Sequence, residues 1–458
     1  MKTKKADWMK KWSKELIFTG AVFLAMTLWA FFQPFDSAPD EAMRYQIPAF
    51  IFNYGKLPHG GDPLIRSAQW GLSYGFGPQL SYIIEALFMK VMSIISKRDG
   101  ALIFAARMVS VCCGAGTVWM TILMSKKLFE KKYRMLFVSL IGLLPQFLYL
   151  ASYVNNDIMA LFGSSIIVYM WICGMESGWK YKHCIGLAAG IVICTLTYYN
   201  SYGFILCSII LFFASLSIQK TAPKEIAKRA ALITVLVLAL TGWYFIRNYI
   251  IYDGDILAMN IGSEYAEKFA VDSLKPSMRQ TPYSSGQSIV EMFMGKSGWF
   301  AVSWRSFVGV FGYMAVYLPN WNYFFYAFIF WISAGSLLLK AWKKKAGIVK
   351  PVCREKSAAA KSRLFHAAMA VAAVIPFGLA LYYSYFSDYQ PQGRYLMPML
   401  IPLMYFVTHG IRIVLEHFIK PEKTEAVIRI ITVIMAFIAI YAYLGVLILT
   451  YWGSLNHI

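Results

Sequence analysis

The stretch ELIFTGAVFLAMTLWAFFQ, Glu15 to Gln33, decides the fold class, because it is apolar apart from one charge and long enough to cross a bilayer. Ten further apolar segments follow it, and the chain is 59% hydrophobic and only 15% charged. A soluble protein is about half apolar and about a quarter charged. The sequence therefore predicts an all-α, polytopic membrane helix bundle.

We expect about eleven transmembrane helices in one integral membrane domain, 1–458. Segment 78–96 is amphipathic, so we assign it to a helix on the outer surface rather than to a span. Two long outer loops with juxtamembrane helices, 34–100 and 252–320, separate the spans into a first span and the blocks 101–251 and 321–452. The predicted spans are 15–33, 101–125, 135–153, 157–174, 183–199, 202–218, 230–251, 321–340, 364–386, 395–412 and 428–452.

The net charge of +21 follows from topology rather than from nucleic-acid binding. Lys and Arg accumulate in cytoplasmic loops, and this assignment places about 30 of the basic residues inside. It puts the N-terminus in the cytoplasm and the C-terminus outside. No Asn-x-Ser/Thr site occurs, which is consistent with a bacterial chain and a location in the cytoplasmic membrane. We expect no nucleic-acid partner, and the sequence indicates no oligomeric state.

Acidic residues cluster directly after the first span, in DSAPDEAMRY, Asp36 to Tyr45. One interpretation is helix capping, with Ser37 as the N-cap and the acids offsetting the helix dipole. The other is functional, with Asp40 as a general base or as a ligand of a divalent ion. Spacing alone does not separate the two.

Further polar residues at predicted outer span ends have the same two interpretations. In the triplet NND, either Asp157 or Asn156 caps the next helix after a tight turn, or Asp157 faces Asp40 as a second carboxylate. Arginines at outer span ends either extend to the interface or together hold an anion such as phosphate, for which the planar guanidinium is suited. Three of these outer arginines, Arg107, Arg247 and Arg394, lie near span ends, and the fourth, Arg305, lies in the second long loop.

No motif indicates a soluble catalytic site. The sequence has no Walker loop, no GxSxG and no His and Cys at metal-ligand spacing. A lipid or polysaccharide transporter or flippase is the main alternative to a membrane enzyme, and a non-catalytic scaffold is a third possibility. Transporters place ionisable residues near the midplane, whereas the charges here gather at span ends.

The polar motifs, in their order, resemble the GT-C superfamily of polyprenyl-phosphate-sugar-dependent membrane glycosyltransferases, and most of all a bacterial branch of unknown function. The resemblance covers about 15–412, although the soluble C-terminal domain and the acidic-histidine or Trp-Trp-Asp signatures of better known members are missing. The matching motifs are PDE, AARMVS, KKLFEKKYR, YVNND, RNYIIYDGDIL, SFVGVFGYMAVYLP and QGRYLMPMLIP.

The resemblance implies sugar transfer from a polyprenyl-phosphate donor to a cell-surface glycan, lipid or protein at the outer face, with inversion at the anomeric carbon. The essential carboxylate would be Asp40, with Glu41 beside it and Asp157 as the second acid. Any divalent metal would bind Asp40 and Asp157. The donor phosphate would bind the outer arginines, with Arg394 the first choice and Arg247 the second, followed by Arg107 and Arg305. Other polar candidates are Asn155, Asn156, Asn248 and Gln392.

Overall fold

The computed structural model describes residues 2–295, 298–345 and 356–451, and within them the chain is almost entirely helical, as predicted. Short 3-10 turns lie at Tyr74–Phe76, Tyr199–Ser201, Asp272–Leu274 and Gly393–Met399, and a π-helix follows the last α-helix at Ala442–Ile448. The α-helices are α1 (Lys2–Phe32), α2 (Glu41–Tyr54), α3 (Leu80–Met92), α4 (Asp99–Leu128), α5 (Lys131–Gly142), α6 (Pro145–Leu150), α7 (Asp157–Ser177), α8 (Tyr181–Thr195), α9 (Tyr202–Ile218), α10 (Pro223–Ile251), α11 (Met259–Phe269), α12 (Ile289–Met294), α13 (Trp299–Gly309), α14 (Asn320–Lys345), α15 (Lys356–Phe386), α16 (Leu400–Phe418) and α17 (Pro421–Tyr441).

Within the described residues, nine helical segments are long and apolar enough to cross a membrane, so the chain is a multi-pass membrane protein. The last predicted span, 428–452, ends one residue outside the described part of the chain. The nine segments are Trp12–Phe32, Asp99–Leu128, Asp157–Ser177, Tyr199–Ile218, Pro223–Ile251, Asn320–Trp342, Lys356–Phe386, Gly393–Phe418 and Pro421–Tyr451.

Two predicted spans are shorter than expected. Segment 135–153 is divided between α5 and α6, because Pro145 lacks an N–H and begins a new helix after a break at Leu143 and Leu144. Segment 183–199 overlaps α8, which begins two residues earlier and ends at Thr195; its 15 residues reach about 22 Å against the ~30 Å hydrocarbon thickness of a bilayer.

Contacts at both ends show that α8 still carries the chain between the two ends of the bundle. Asn156, before α7, donates from Nδ2 to the Thr197 carbonyl after α8 at 2.7 Å. At the other end, the Ser177 hydroxyl lies 2.8 Å from His183 Nδ1. The α5–α6 pair runs in the same way from Lys131 to the loop that precedes Asp157. The bundle is therefore consistent with about eleven passes.

Ion pairs join basic and acidic side chains at one end of the bundle. Lys126, near the end of α4, lies 2.6 Å from Glu15 of α1, and Lys127 pairs with Glu176 of α7. Arg412 of α16 lies 3.2 Å from Glu130. These contacts bring together several segments predicted to be inside; residues 346–355 of the basic segment 340–363 lie outside the described part. We call the opposite end the site end, and its assignment to the outer face stays a prediction.

The two long loops are more ordered than the sequence suggests. Helix α3 packs along α4 rather than lying free on the surface, and its Glu85 is fully buried. In the second loop, β1 (Val310–Phe311) pairs antiparallel with β2 (Val316–Tyr317), which is a short departure from the all-α prediction. Gly312 has φ +63°, a left-handed conformation that glycine adopts readily.

Trp29, near the end of α1, anchors the site end. It is 1% exposed, and its ring packs edge-on against Phe311, 5.5 Å away, and stacks on Tyr443, 5.3 Å away. Tyr149 lies 6.1 Å away and donates its hydroxyl toward the Ser37 carbonyl at 3.4 Å. Aromatic packing therefore holds the loop after α1 against β1 and the last helix.

Candidate active site

Asp36 caps the first helix after α1, and Ser37, the predicted N-cap, does not. The Asp36 Oδ1 atom accepts a hydrogen bond from the Ala42 amide at 3.0 Å, whereas the Ser37 hydroxyl donates back to the Pro34 carbonyl at 2.8 Å. The reason is that Asp36 and Asp40 both have positive φ, so the chain makes an extra turn before α2 begins. The prediction of Ser37 as the N-cap is therefore wrong, and Asp36 accepts the hydrogen bond from the first turn of α2 instead.

Asp40 lies at the N-cap position of α2 in a left-handed conformation, with φ 62°, and its side chain caps nothing. This conformation is costly for a residue other than glycine, by about 1 kcal/mol or more. It turns the carboxylate away from the helix amides and toward Arg394 and Tyr74. Arg394 Nη2 lies 2.6 Å from Asp40 Oδ2, and the Tyr74 hydroxyl donates to the same oxygen at 2.8 Å.

Arg394 has spare donors. Its Nη2 group serves Asp40 and the Tyr395 hydroxyl, its Nη1 group makes one 3.3 Å contact with the Pro39 carbonyl, and its Nε atom is buried without a partner. Within the described residues, two of the five guanidinium N–H bonds, one on Nε and one on Nη1, therefore have no partner. Gly393 positions the group, because a Cβ there would lie 2.0 Å from the Phe307 amide nitrogen.

Glu41 and Arg107 form a closed pair that excludes the roles expected of them. Arg107 donates to both Glu41 carboxylate oxygens at 2.7 Å, and its remaining three N–H bonds go to main-chain carbonyls at the end of α1, those of Ala30, Gln33 and Pro34. Glu41 also accepts from the Asp36 and Val154 amides. Arg107 has no donor left for phosphate, and Glu41 is fully buried, so both act in folding.

Asp157, the second predicted carboxylate, is at the site end and pairs with an arginine of α2. Arg44 Nη1 lies 3.0 Å from Asp157 Oδ2, and both side chains are 2% exposed. The Arg44 guanidinium lies over the Tyr74 ring, 4.5 Å from its centroid, and the Tyr74 hydroxyl binds Asp40. The two acids are thus linked through Arg44 and Tyr74, and Asp40 is 24% exposed whereas Asp157 is 2% exposed.

The predicted polar neighbours serve mainly to hold the chain. Asn155 Oδ1 accepts from the Ile158 amide, so it provides the side-chain cap of α7 that was expected of Asn156 or Asp157. Asn156 accepts from Arg44, and Asn248 donates to the Ile256 carbonyl at 3.1 Å. Gln392, beside Arg394 in sequence, has a buried side-chain oxygen without a partner.

The other two predicted arginines form no ion pair or hydrogen bond with Asp40 or Arg394 in the part of the chain that the structure describes. Arg247 donates to the Pro58 carbonyl at 2.7 Å and thereby joins α10 to the first long loop. Arg305 is exposed at the edge of an apolar cavity, with its guanidinium 5.9 Å from the Tyr323 ring centroid. Among the described residues no carboxylate lies within ion-pair distance of Arg305. The four arginines therefore do not form one site.

The charges around Asp40 keep it ionised. Burial alone would raise the pKa of the Asp40 carboxyl, but Arg394, Arg44 and the Tyr74 hydroxyl lower it below its ordinary value. Burial raises the pKa of the Tyr74 hydroxyl well above its ordinary value, so Tyr74 remains a hydrogen-bond donor. A carboxylate with a lowered pKa is a weak base and needs an acceptor hydroxyl placed directly against it.

Sequence reasoning missed Arg44, Tyr74 and Tyr395. Arg44 could have been found, because it follows Asp40 by four residues and side chains at this spacing meet on a helix. Tyr74 and Tyr395 carried no comparable signal, since the chain has 30 tyrosines. Only the fold shows which of them bind Asp40 and Arg394.

The carboxylates do not fit a metal site. Divalent ions such as Mg²⁺ bind carboxylate oxygens, but Asp40 and Asp157 each face an arginine, and their carboxylates share no direct contact. In the part of the chain that the structure describes, no three His, Cys, Asp or Glu side chains converge as ligands. Asp40 and Asp157 are therefore held by arginines rather than placed as joint ligands of a divalent ion.

The fold matches solved structures of two membrane proteins. The archaeal oligosaccharyltransferase AglB of Archaeoglobus fulgidus, in complex with an inhibitory peptide and a dolichol-phosphate, aligns with 13% identity and a TM-score of 0.52, over 95% of this chain and 55% of that one. ArnT of Cupriavidus metallidurans, bound to undecaprenyl phosphate, aligns with 11% identity and a TM-score of 0.55, over 97% and 73%. The chain thus spans about half the length of AglB.

These similarities show the fold, and the predicted resemblance to the GT-C superfamily is confirmed at that level. No curated protein is similar in sequence to the chain. The family model for predicted membrane proteins known as DUF2142 matches residues 66–404, well over half of the chain. The protein therefore belongs to the DUF2142 family of predicted membrane proteins and has the GT-C fold.

Proposed function

We propose that the protein is a glycosyltransferase that moves a sugar from a polyprenyl-phosphate donor to a cell-envelope glycan, lipid or protein at the outer face of the bacterial cytoplasmic membrane. One observation carries the proposal: Asp40 is a partly exposed carboxylate at the site end, held by an arginine with two free donors. A base and a phosphate-binding group thus lie side by side.

The chemistry follows from this pair. An acceptor hydroxyl gives its proton to Asp40 while its oxygen forms a bond to the anomeric carbon. The bond from that carbon to the phosphate oxygen breaks, and the negative charge on the departing polyprenyl phosphate is stabilised by the free Nε and Nη1 donors of Arg394. Displacement from the opposite face inverts the anomeric carbon.

Arg44 and Asp157 influence Asp40 and Arg394 without contacting the substrates. Arg44 adds positive charge near Asp40, yet Asp157 neutralises Arg44 at 3.0 Å. Because both are buried, neither meets the acceptor directly. We assign them to setting the charge on Asp40 and the position of Tyr74, which contacts both Arg44 and Asp40.

An apolar cavity of about 510 Å³ lies beside the site and suits the polyprenyl chain. It is bounded by α13, α14, α15 and the segment that runs from Arg394 into α16. Leu396 lines it two residues after Arg394, and the Ser306 hydroxyl of α13 accepts from the Gly393 amide at 2.9 Å. Arg305 at its edge, which has no carboxylate partner among the described residues, adds a positive charge that favours an anionic lipid.

Filling this cavity should weaken donor binding. We expect Ala327→Trp, which adds an indole ring to the cavity wall, to raise the KM for the lipid-linked donor by about tenfold or more, because the added ring occupies the volume that the prenyl chain would bury. The measurement is initial transfer rate against donor concentration in proteoliposomes. Leu338→Trp also places an indole ring on α14, but on its exposed side and away from the cavity lining, and should leave the KM unchanged. An equal KM for the donor in both variants would show that the prenyl chain does not bind in this cavity.

The direct test of the proposed function is turnover by the purified protein. In liposomes that contain undecaprenyl phosphate carrying a labelled sugar, addition of a cell-envelope extract should release undecaprenyl phosphate and label the extract with inverted anomeric configuration. A panel of donors with glucose, galactose, mannose and N-acetylglucosamine covers common sugars. Unchanged donors throughout the panel would count against the transferase and favour a transport function.

A further inference from the structure

Three outer segments meet at a small polar cluster next to the site, which we call the loop junction: Trp70, Arg279, Asp388 and Gln390. Trp70 belongs to the first long loop, Arg279 to the second, and the other two to the connection between α15 and α16. The Arg279 guanidinium lies 5.2 Å from the Trp70 ring centroid and 3.7 Å from Asp388 Oδ2.

Main-chain contacts fix the position of the loop junction. The Val271 amide donates to the Gln69 carbonyl at 3.2 Å, which joins the two long loops. The Tyr283 amide donates to the Tyr385 carbonyl at 3.2 Å, which joins the second loop to the end of α15. Arg279 lies between these two attachments, so its position is set by the fold.

Hydrogen bonds connect the loop junction to the catalytic pair. Arg394 Nη2 donates to the Tyr395 hydroxyl at 3.0 Å, and Tyr395 in turn donates to Gln390 Oε1. Gln390 Nε2 donates to Asp388 Oδ2 at 2.6 Å. Only one hydroxyl and one amide group therefore separate Arg394 from Asp388.

The loop junction keeps unused hydrogen-bonding capacity that faces water. Asp388 is 20% exposed and Arg279 14% exposed. Within the described residues, Asp388 Oδ1 accepts no hydrogen bond and Arg279 Nη2 donates none, while Arg279 Nε is held by the Leu274 carbonyl at 2.8 Å. A free acceptor and a free donor thus lie next to each other beside a half-buried indole.

This combination suits hydroxyl groups better than phosphate. A sugar hydroxyl both donates and accepts, so neighbouring hydroxyls can bind a carboxylate and a guanidinium at once. A phosphate would be attracted by Arg279 but repelled by Asp388. The Trp70 ring provides the apolar surface typical of small-ligand sites, in which a few placed polar groups give specificity.

The order of polar and apolar side chains from residue 388 to residue 403 matches the order of sugar, phosphate and prenyl chain in a lipid-linked sugar. Asp388 and Gln390 come first, then Arg394 with its free donors, and then Leu396, Met399 and Leu403, which line the apolar cavity. Hydroxyl-binding, phosphate-binding and prenyl-binding groups therefore follow each other from residue 388 to residue 403.

We propose that the loop junction binds the sugar of the donor and determines which sugar is transferred, with Asp388 accepting from one hydroxyl and Arg279 donating to its neighbour. The proposal rests on the proposed function, because it takes Arg394 as the phosphate site. It assigns Asp388, Arg279 and Gln390 to donor specificity rather than to the transfer step.

The test compares two ligands on purified protein in detergent, undecaprenyl phosphate and undecaprenyl phosphate carrying each sugar of the panel. Wild-type protein should bind at least one glycosylated lipid about tenfold more tightly than the bare lipid. Asp388→Asn and Arg279→Gln should remove most of that preference while the Kd for bare undecaprenyl phosphate changes less than about twofold. Asp272→Asn, at an exposed ion pair in the same loop, should keep the preference.

The possible results separate the two proposals. One result is that Asp388→Asn and Arg279→Gln weaken the binding of bare and glycosylated lipid equally, and another is that they leave the preference for the glycosylated lipid unchanged. Either result overturns the sugar site but leaves the proposed transferase function standing. If wild-type protein prefers none of the glycosylated lipids yet transfers their sugars, the loop junction again has no role in recognition. If wild-type protein binds neither kind of lipid, the proposed function fails and the sugar site fails with it.

Discussion

Substituting Asp40 with asparagine is expected to lower the rate of sugar transfer by about 10²–10⁴-fold, the contribution typical of a general base. Asparagine keeps the shape of the side chain and can still accept from Arg394 and Tyr74, which bind Oδ2 at 2.6 and 2.8 Å. It cannot take a proton from the acceptor hydroxyl. Product formation should therefore be lost while the protein still inserts and folds.

The measurement is the initial rate of product formation in proteoliposomes with wild-type protein, Asp40→Asn and Asp62→Asn. Asp62 lies in the same long loop and makes only a local turn contact with the Leu64 amide, so its variant should keep the wild-type rate. Thermal unfolding in detergent shows whether each variant is folded. A folded Asp40→Asn protein with wild-type turnover would rule out the proposed base.

Replacing Arg107 with methionine is expected to lower the free energy of unfolding by about 3–5 kcal/mol, as is typical when one member of a buried ion pair is removed. Glu41 would be left fully buried without its ion-pair partner, and three carbonyls at the end of α1 would lose their donor. Arg107 is thus expected to be essential for stability and not for phosphate binding, because all of its donors are used within the fold.

The matched control is Arg429→Met, because Arg429 is 79% exposed and lies 3.6 Å from Glu425 on the same helix. Its removal should change the stability by less than about 1 kcal/mol. Denaturant unfolding in detergent, followed by tryptophan fluorescence, compares the two variants. Equal stability of the two variants would show that the Glu41–Arg107 pair does not hold the loop after α1.

Much of the fold could be predicted because a bilayer imposes simple rules. Long apolar runs and the sorting of basic residues indicated about eleven helical passes, and nine described segments satisfy length and composition on their own. Two predicted spans, 135–153 and 183–199, do not satisfy these criteria. Hydropathy did not show that Pro145 divides the first of them or that α8, in the second, has only 15 residues. A helix packed inside a bundle can be short, since its ends meet protein.

The candidate site could be predicted only in part, because sequence position does not give partners. Asp40, Asp157 and Arg394 lie at predicted span ends, and the structure brings all three to one end of the bundle. Arg107 satisfied the same criterion, yet all of its donors are used within the fold. What separates it from Arg394 is the number of free N–H bonds, which depends on tertiary contacts.

Native mass spectrometry of the protein with its bound lipid tests the central claim most directly. Wild-type protein is first loaded with a glycosylated undecaprenyl phosphate that serves as a substrate in the transfer assay. When the envelope extract is added, the complex should lose the mass of the sugar and retain undecaprenyl phosphate. Asp40→Asn should bind the same donor and retain it intact. Loss of the sugar from both proteins at the same rate would contradict the account, because transfer would then not depend on the carboxylate that Arg394 holds.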